Sequence, residues 1–367
     1  MGSLTIGIPA YNVPDEVLER LLHTIKGQTP ATVVLYGDGD GKSYDIVQDM
    51  GGVVIKGKTN AGPGVARQKI LEQCNTDYIT FADADDLLAT PLFFEHAIKV
   101  LDEKPSISVA AYTFLQLNED GSFIPHERNN VWVFGRVYRV AFLRRYNIHF
   151  PEFRANEDTC FNKQCELLTD NPNEQTVYFK DVAYYWTYKA DSITRINNGQ
   201  YGDDQCQAGW ILSTIHAINH ARQYRPFSGR ITQDIATTMV QAYFYYVKCL
   251  HNNPFFARQQ WYYIKMFYHD MYKEVGKYIT PDALADIYSV LNAQNGPQMV
   301  HIIPAIGITE FFDRLKNEPY DQSEIYTVWA DMYKERPDLM QNNVKCGVMP
   351  KNYWQSLSKN TIAKRKK

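Results

Sequence analysis

The sequence predicts an α/β domain, a mixed and mainly parallel sheet flanked by helices, followed by a mainly α-helical C-terminal domain. Three observations carry this. Short apolar runs alternate with amphipathic stretches through the first hundred residues, turn residues at 118–121 separate two extended segments, and strand patterns vanish after about Gln205.

Leu4 to Ile8 is an apolar run closed by Pro9, and Pro14 opens a helical pattern with Val17, Leu18, Leu21, Leu22 and Ile25 on one face. The alternation continues with a strand at Val33 to Leu35, a short helix at Tyr44 to Met50 and a strand at Val53 to Ile55. A helix at Val65 to Cys74, a strand at Tyr78 to Phe81 and a helix at Leu92 to Leu101 follow. Such alternation means parallel strands with helices on both faces. Asn118-Glu-Asp-Gly121 is a hairpin turn after the extended segment Ser108 to Leu117, which adds an antiparallel element. Helices near Arg139 to Tyr146 and from about Glu157 come next, and Gln175 to Phe179 and Val182 to Tyr188 read as the last two strands. Beyond them the patterns are long and helical, as in Ile231 to Leu250 and Pro281 to Leu291. The boundary is placed near residue 200, in the Asn/Gly-rich stretch Asn197 to Asp204, giving domains 1–200 and 201–367.

With 367 residues, 45% hydrophobic and 22% charged, the chain can bury a sizeable core, and two domains are expected. A formal net charge of −3 gives no global field to attract nucleic acid or an anionic membrane. The basic end Lys364 to Lys367 reads as a solvated tail. Cys74, Cys160, Cys165, Cys206, Cys249 and Cys346 form no C-x-x-C pair, so reduced thiols in a cytoplasmic protein are expected. No window approaches the roughly 18 apolar residues of a membrane span, and the N-terminus runs straight into a strand pattern without a signal peptide. The 26 tyrosines concentrate in the second half. They suggest an aromatic-lined groove or, more simply, a Tyr-rich helical core.

Phe81-Ala-Asp-Ala-Asp-Asp86 places three carboxylates just past an apolar strand. In an extended segment residues i and i+2 point the same way, so Asp83 and Asp85 can face one ligand. Paired carboxylates repel unless a cation lies between them, and a hard divalent ion that keeps open positions for phosphate oxygens, Mg²⁺ or Mn²⁺, suits them. Alternatively, Asp85 or Asp86 caps the following helix. Tyr36-Gly-Asp-Gly-Asp-Gly41 also follows a strand; its glycines permit close backbone approach, and Asp38 offers an acceptor to a base N–H or a ribose hydroxyl. Asn60-Ala-Gly-Pro-Gly-Val-Ala-Arg67 lies between strand and helix, either as a plain Gly-Pro turn or as a loop that projects Arg67 toward a ligand. It lacks the G-K-[ST] of a phosphate-binding Walker loop. Glu157-Asp158 stands at a helix start after Asn156, a candidate N-cap. The helix dipole would favour the charged carboxylate there, which suits a general base, although a capping acid has the same pattern. His216 and His220 are spaced i, i+4 but lack the Glu of H-E-x-x-H, so a packed or surface pair is the simpler reading. Met239, Tyr243, Tyr246 and Leu250 form a stripe at helical spacing, read as core.

In order, Ile8-Pro-Ala-Tyr-Asn12, Gly37-Asp-Gly-Asp40, Asn60-Ala-Gly with Ala66-Arg67, Tyr78 to Asp86, Glu157-Asp158 and Ser192-Ile-Thr-Arg195 resemble family 2 glycosyltransferases of the GT-A fold, a Rossmann-like mixed sheet. The resemblance covers about the first 200 residues. It implies an inverting, metal-dependent transfer of a sugar from a nucleotide diphosphate sugar, by default a UDP-sugar, to an acceptor hydroxyl of a glycan, polymer or small molecule. Pro9 and Tyr11 would line the nucleotide pocket, Asp38 would hold the base, and Asn60 and Arg67 would lie on the donor, the latter against base or ribose. Asp83 would contact the ribose or the metal shell, Asp85 would bind Mn²⁺ or Mg²⁺, and Arg195 would fold over the diphosphate. Of Glu157 and Asp158, the aspartate would take the acceptor proton. Many members carry Asp where this chain has Gly37. Residues 201–367 would recognise the acceptor or hold a homo-oligomer together.

Two other readings stay open. The acceptor could be a modified nucleobase in DNA, although the overall charge argues against extensive phosphate contact. The fold could also serve as a catalytically silent sugar- or nucleotide-binding module, against which the retained Asp83, Asp85 and Asp158 argue.

Overall fold

The computed structural model describes residues 2–335, apart from 27–30, 90–91, 154, 170, 172, 191–202, 226–228, 253 and 300–305. Its described residues fall into two compact units, one ending at Lys189 and one that begins at Ala190 and is described as far as Glu335. The boundary expected near residue 200 lies in 191–202, outside the described residues.

In the first unit β1 (Leu4–Ala10), β2 (Thr32–Gly37), β3 (Val53–Lys56) and β4 (Tyr78–Phe81) pair in parallel in the order β3-β2-β1-β4. Helices α1 (Asp15–Lys26), α2 (Asp45–Asp49) and α3 (Pro63–Gln73) connect them. Strands covered on both faces must be apolar throughout, and β4 is buried at all four residues. The chain winds from β1 to β2 and β3 on one side and returns to place β4 on the other. That reversal brings the carboxyl ends of β1, β2 and β4 to one edge of the sheet, where open α/β sheets bind ligands.

The rest of this unit is β5 (Leu87–Leu88), α4 (Phe93–Glu103), β6 (Ile107–Leu117), β7 (Phe123–His126), β8 (Arg136–Arg139), α5 (Val140–Arg145), α6 (Glu157–Leu168) and β9 (Gln175–Trp186). β8 pairs antiparallel with both β4 and β6, β6 runs parallel to β9, and β5 closes the edge antiparallel to β9. The hairpin expected at Asn118–Gly121 joins β6 to β7. Where two final strands are expected there is a single one. Phe179 lies opposite Tyr112 and Val182 opposite Thr113, so Lys180 and Asp181 form a bulge that the sequence pattern registers as a break. The short β5 and β8 give no periodic signal. β8 is fixed by side-chain bonds, including Thr80 Oγ1 to the Arg136 carbonyl at 2.6 Å and Arg139 Nη2 to the Leu101 carbonyl at 2.6 Å.

Helix α6 is anchored by aromatic packing. Phe161 stacks on Phe150 with ring centroids 4.0 Å apart and planes within 4°, while Phe81 from β4 meets both edge-on. Cys74, Cys160, Cys165 and Cys249 are buried free thiols, and burial raises the pKa of Cys160 and Cys165 well above that of an ordinary thiol.

The second unit is helical, with α7 (Asp203–Ala221), α8 (Gly229–Asn252), α9 (Pro254–Phe267), a π turn at Tyr268–Tyr272 and helices Pro281–Met299, Ile308–Asn317 and Glu324–Glu335. Met239, Tyr243 and Tyr246 are buried and Leu250 is half-buried, so the stripe belongs to the core, together with Tyr262, Tyr263, Tyr268 and Tyr272. His220 is buried against Tyr224, and among the described residues no three metal-ligating side chains cluster. No helix among the described residues is long and apolar enough to cross a membrane.

Because Phe161 is fully buried and joins α6 to β4, truncation to alanine removes both its transfer energy and its stacking. Phe161→Ala is expected to lower the unfolding free energy by about 3–5 kcal/mol in urea denaturation.

Candidate active site

Four loops converge at the carboxyl edge of the sheet. After β1 come Tyr11 and Asn12, both exposed; Pro9, the residue before Ala10, is half-buried. After β2, Asp38 is buried, and its carboxylate accepts the Ala61 amide at 2.9 Å and the Gly62 amide at 2.7 Å. It thus fixes the loop that carries Asn60 and ends at the Gly62 N-cap of α3.

Asp40 organises the neighbouring turn, a role the sequence motif does not reveal. It accepts bonds from the Tyr44 hydroxyl, the Asn12 amide at 2.8 Å and the Lys42 amide at 3.1 Å. Tyr44 also explains Gly37, because a Cβ there would lie 3.0 Å from the Tyr44 ring.

Arg67, expected against base or ribose, is itself held by two carboxylates. It is 3% exposed, with Nη2 2.6 Å from Asp83 Oδ1 and Nη1 bonded to Glu157 Oε1. Burial works against its charge, yet Asp83, Glu157 and Asp158 together raise its pKa above the ordinary value, so it stays a cation. Its role is to tie the acidic loop after β4 to the start of α6. Gly64 permits that approach, since a Cβ would fall 2.3 Å from the Pro151 carbonyl oxygen and 3.1 Å from Glu157 Cβ.

The tie divides Glu157 from Asp158. Glu157 is buried and held by Arg67, whereas Asp158 is half-buried and its Oδ1 accepts the Thr159 amide at 2.7 Å. The sequence reading, in which the helix start favours the ionised carboxylate, needs correction. Burial outweighs it and pushes Asp158 up to about 6; burial and the neighbouring Asp158 raise Glu157 as well, against the pull of Arg67. Asn156 holds the N-cap position in a left-handed conformation (φ 64°), without a side-chain capping bond.

In the acidic loop Asp83 and Asp85 are both partly exposed, with side chains 30% and 33% accessible. Lys189 Nζ lies 3.3 Å from Asp85 Oδ2, a cation already seated at the carboxylate assigned to a metal. Asp86 does not cap the following helix, whose N-cap position is held by Leu92. It is buried and accepts the Tyr184 hydroxyl at 2.6 Å and the Thr187 amide at 2.8 Å, and burial beside Asp83 and Asp85 raises its pKa strongly. Tyr184 in turn accepts the Asp83 amide at 3.0 Å, and the Thr187 hydroxyl donates to the Asp85 carbonyl at 2.6 Å. The end of β9 therefore shapes the acidic loop. Its signal in the sequence was only the strand pattern of Val182 to Tyr188. Arg195 lies outside the described residues.

Replacing Gly64 separates helix propensity from close packing. Propensity alone would gain up to about 1 kcal/mol from alanine, but the fixed backbone oxygen at 2.3 Å dominates. Gly64→Ala is expected to lose about 1–3 kcal/mol by thermal or chemical denaturation.

The glycosyl transferase family 2 model matches residues 5–166, which contain every residue of this edge up to α6. Glycosyltransferase GlyA of Streptococcus pneumoniae serotype 4 (strain ATCC BAA-334 / TIGR4) is 21% identical over 253 residues, 60% of this chain and 34% of GlyA. The chain thus spans about a third of the length of that curated relative. The crystal structure of S. aureus TarS 1-349 in complex with UDP aligns with a TM-score of 0.59 and 17% identity, covering 81% of this chain and 91% of that one. TarS 1-349 in complex with UDP-GlcNAc gives 0.54 and 16%, covering 80% and 92%. At such identities the structural likeness is one of fold, the GT-A arrangement of mixed sheet and flanking helices. The family likeness of this chain is thus carried by residues 5–166, which match the glycosyl transferase family 2 model.

Proposed function

We propose that this chain is an inverting glycosyltransferase that moves a sugar from a UDP-sugar to an acceptor hydroxyl, with Asp158 as the general base. The single observation behind this reading is the buried Arg67 bridge. It engages Glu157 and Asp83 and leaves Asp158 as the half-buried carboxylate at the start of α6. The nucleotide and nucleotide-sugar complexes of the similarly folded TarS support uridine as the base.

A single in-line displacement inverts the anomeric centre: the acceptor oxygen attacks the anomeric carbon as the diphosphate leaves on the opposite side. Asp158 holds the acceptor hydroxyl and takes its proton, and no second carboxylate nucleophile is required. Asp38 keeps the Asn60–Gly62 loop in place for the base or ribose, beside Pro9 and Tyr11. Arg67 fixes Asp83 from beneath.

The donor set suits a hard divalent ion. Asp83 and Asp85 present oxygen ligands two residues apart in a partly exposed loop, and the Lys189 ammonium stands where positive charge is favoured. Asp83 and Asp85 would hold Mn²⁺ or Mg²⁺, with open positions left for the ligand. Such an ion supplies charge stabilisation for the leaving diphosphate. The acceptor belongs to a glycan, a polymer or a small molecule, and the helical unit from Asp203 onward contributes to its selection or to assembly. A carboxylate-lined edge argues against a polyanionic DNA acceptor.

Asp158→Asn keeps shape but cannot take a proton, so turnover is expected to fall by about 10² to 10⁴ with UDP affinity and melting temperature near normal. In the unaltered protein, kcat/KM is expected to fall as pH drops through about 6, because the protonated carboxyl no longer accepts. The apparent value belongs to the Glu157–Asp158 pair. Steady-state kinetics of sugar transfer across pH 4.5–8 checks both; normal turnover by Asp158→Asn would contradict the assignment.

A further inference from the structure

The helical unit holds a cavity of about 570 Å³ lined entirely by its own residues. That volume is in the range of small-molecule sites. Its walls come from the π turn and the short helical turns after it, from helix Pro281–Met299 and from helix Ile308–Asn317. The floor is aromatic and preformed. Tyr268 and Tyr272 pack with ring centroids 5.8 Å apart and planes at 30°, and Tyr272 meets Phe312 at 5.6 Å and 41°. All three side chains are buried. π turns inside α-helices occur often at functional sites, and this one, with the turns after it, brings both tyrosines, Lys273 and Lys277 to the same cavity. Gly276 keeps space open beside the floor, because a Cβ there would lie 3.0 Å from Tyr272 Cε1.

Polar groups without partners surround that floor. Among the described residues the ammonium groups of Lys273, Lys277 and Lys316 form no ion pair, and the hydroxyls of Tyr268, Tyr272 and Tyr288 form no hydrogen bond. Lys277 lies over the Tyr278 ring at 4.9 Å, a contact that does not neutralise its charge. Like charges gathered round one cavity disfavour one another, and an anion among them relieves the repulsion. Tyr268 and Tyr272 are only 7% and 8% exposed, and hydroxyls so enclosed normally find a partner. Asp313 is the one carboxylate among the described lining residues, and it would weaken a site for a bare anion. A ligand that also carries hydroxyl groups resolves this, since Asp313 accepts from a hydroxyl while the ammonium groups hold a phosphate. An acyl chain fits less well, because the tyrosine hydroxyls would lose water without gaining a partner.

We propose that this cavity binds a sugar phosphate, with the phosphate among Lys273, Lys277 and Lys316, the ring on the Tyr272–Phe312 floor and a ring hydroxyl on Asp313. The site does not depend on the glycosyltransferase reading, since every lining residue lies beyond the family 2 match. Isothermal titration of the full chain with D-glucose 1-phosphate, methyl α-D-glucopyranoside and inorganic phosphate tests it, with saturating UDP present to fill the proposed nucleotide site. Glucose 1-phosphate is expected to bind about tenfold or more tightly than either fragment. The double variant Lys273→Gln/Lys316→Gln should weaken that binding by about tenfold, with an unchanged melting temperature because both side chains are exposed. Lys99→Gln, at an exposed lysine of the first unit, should leave it unaltered. No binding of glucose 1-phosphate, equal binding by inorganic phosphate alone, or unchanged affinity in the double variant would overturn the site. Capture by phosphatidylglycerol vesicles that the double variant loses, with no titration signal from glucose 1-phosphate, would assign the lysines to a lipid surface and overturn it too. UDP titration separates this claim from the previous one. If glucose 1-phosphate binds through the lysines while UDP does not bind, the cavity site stands and the transferase reading falls.

Discussion

The geometry of the active edge depends on one buried guanidinium. Arg67 projects from α3 and is held between a carboxylate after β4 and another at the start of α6. Removing a cation and two carboxylates from water is costly, and the arrangement persists only because charges and directions match. Glycine at position 64 lets α3 come close enough, and the stacked Phe150–Phe161 pair keeps α6 against the sheet. One ion bridge, one missing side chain and one aromatic stack therefore decide which carboxylate faces outward. Without the bridge Glu157 and Asp158 would be chemically equivalent neighbours; with it they acquire different partners and different exposure.

The same division of labour runs through the acidic loop. Asp86 is consumed by Tyr184 and Thr187, Asp83 shares its charge with Arg67, and Asp85 keeps the most open environment, with Lys189 as its counter-charge. Three carboxylates in four residues are thus tolerated because each has its own compensating group. An arriving divalent ion would meet Lys189 as a competitor of like sign at Asp85. Nucleotide-sugar affinity and ion affinity should consequently be coupled through that lysine.

The fold was readable wherever a repeating pattern met a boundary residue. The apolar runs of β1 to β4, the helix opening at Pro14 and the turn at Asn118–Gly121 all announced themselves. β5 and β8 did not, because a two-residue strand has no period, and Arg139 of Arg136-Val-Tyr-Arg139 is used for long-range bonds to the Leu101 and Ile107 carbonyls that no local pattern encodes. In the site, the acidic loop and the Glu157-Asp158 pair could be found from spacing and order. Their partners could not. Arg67 and Glu157 are 90 residues apart, and Asp86 and Tyr184 are 98 apart, so pairing is a property of the sheet order. At Asp158 a helix start suggests a lowered pKa, whereas burial raises it.

A double-mutant cycle on stability tests the Arg67 bridge most directly, combining Arg67→Met with Glu157→Gln in urea denaturation. Arg67→Met alone strands buried carboxylates, so adding Glu157→Gln should recover roughly 1–3 kcal/mol relative to the single variant. The double variant would then be more stable than Arg67→Met. Strictly additive losses, with the double variant less stable than either single one, would contradict the account and leave the exposure of Asp158 without its physical cause.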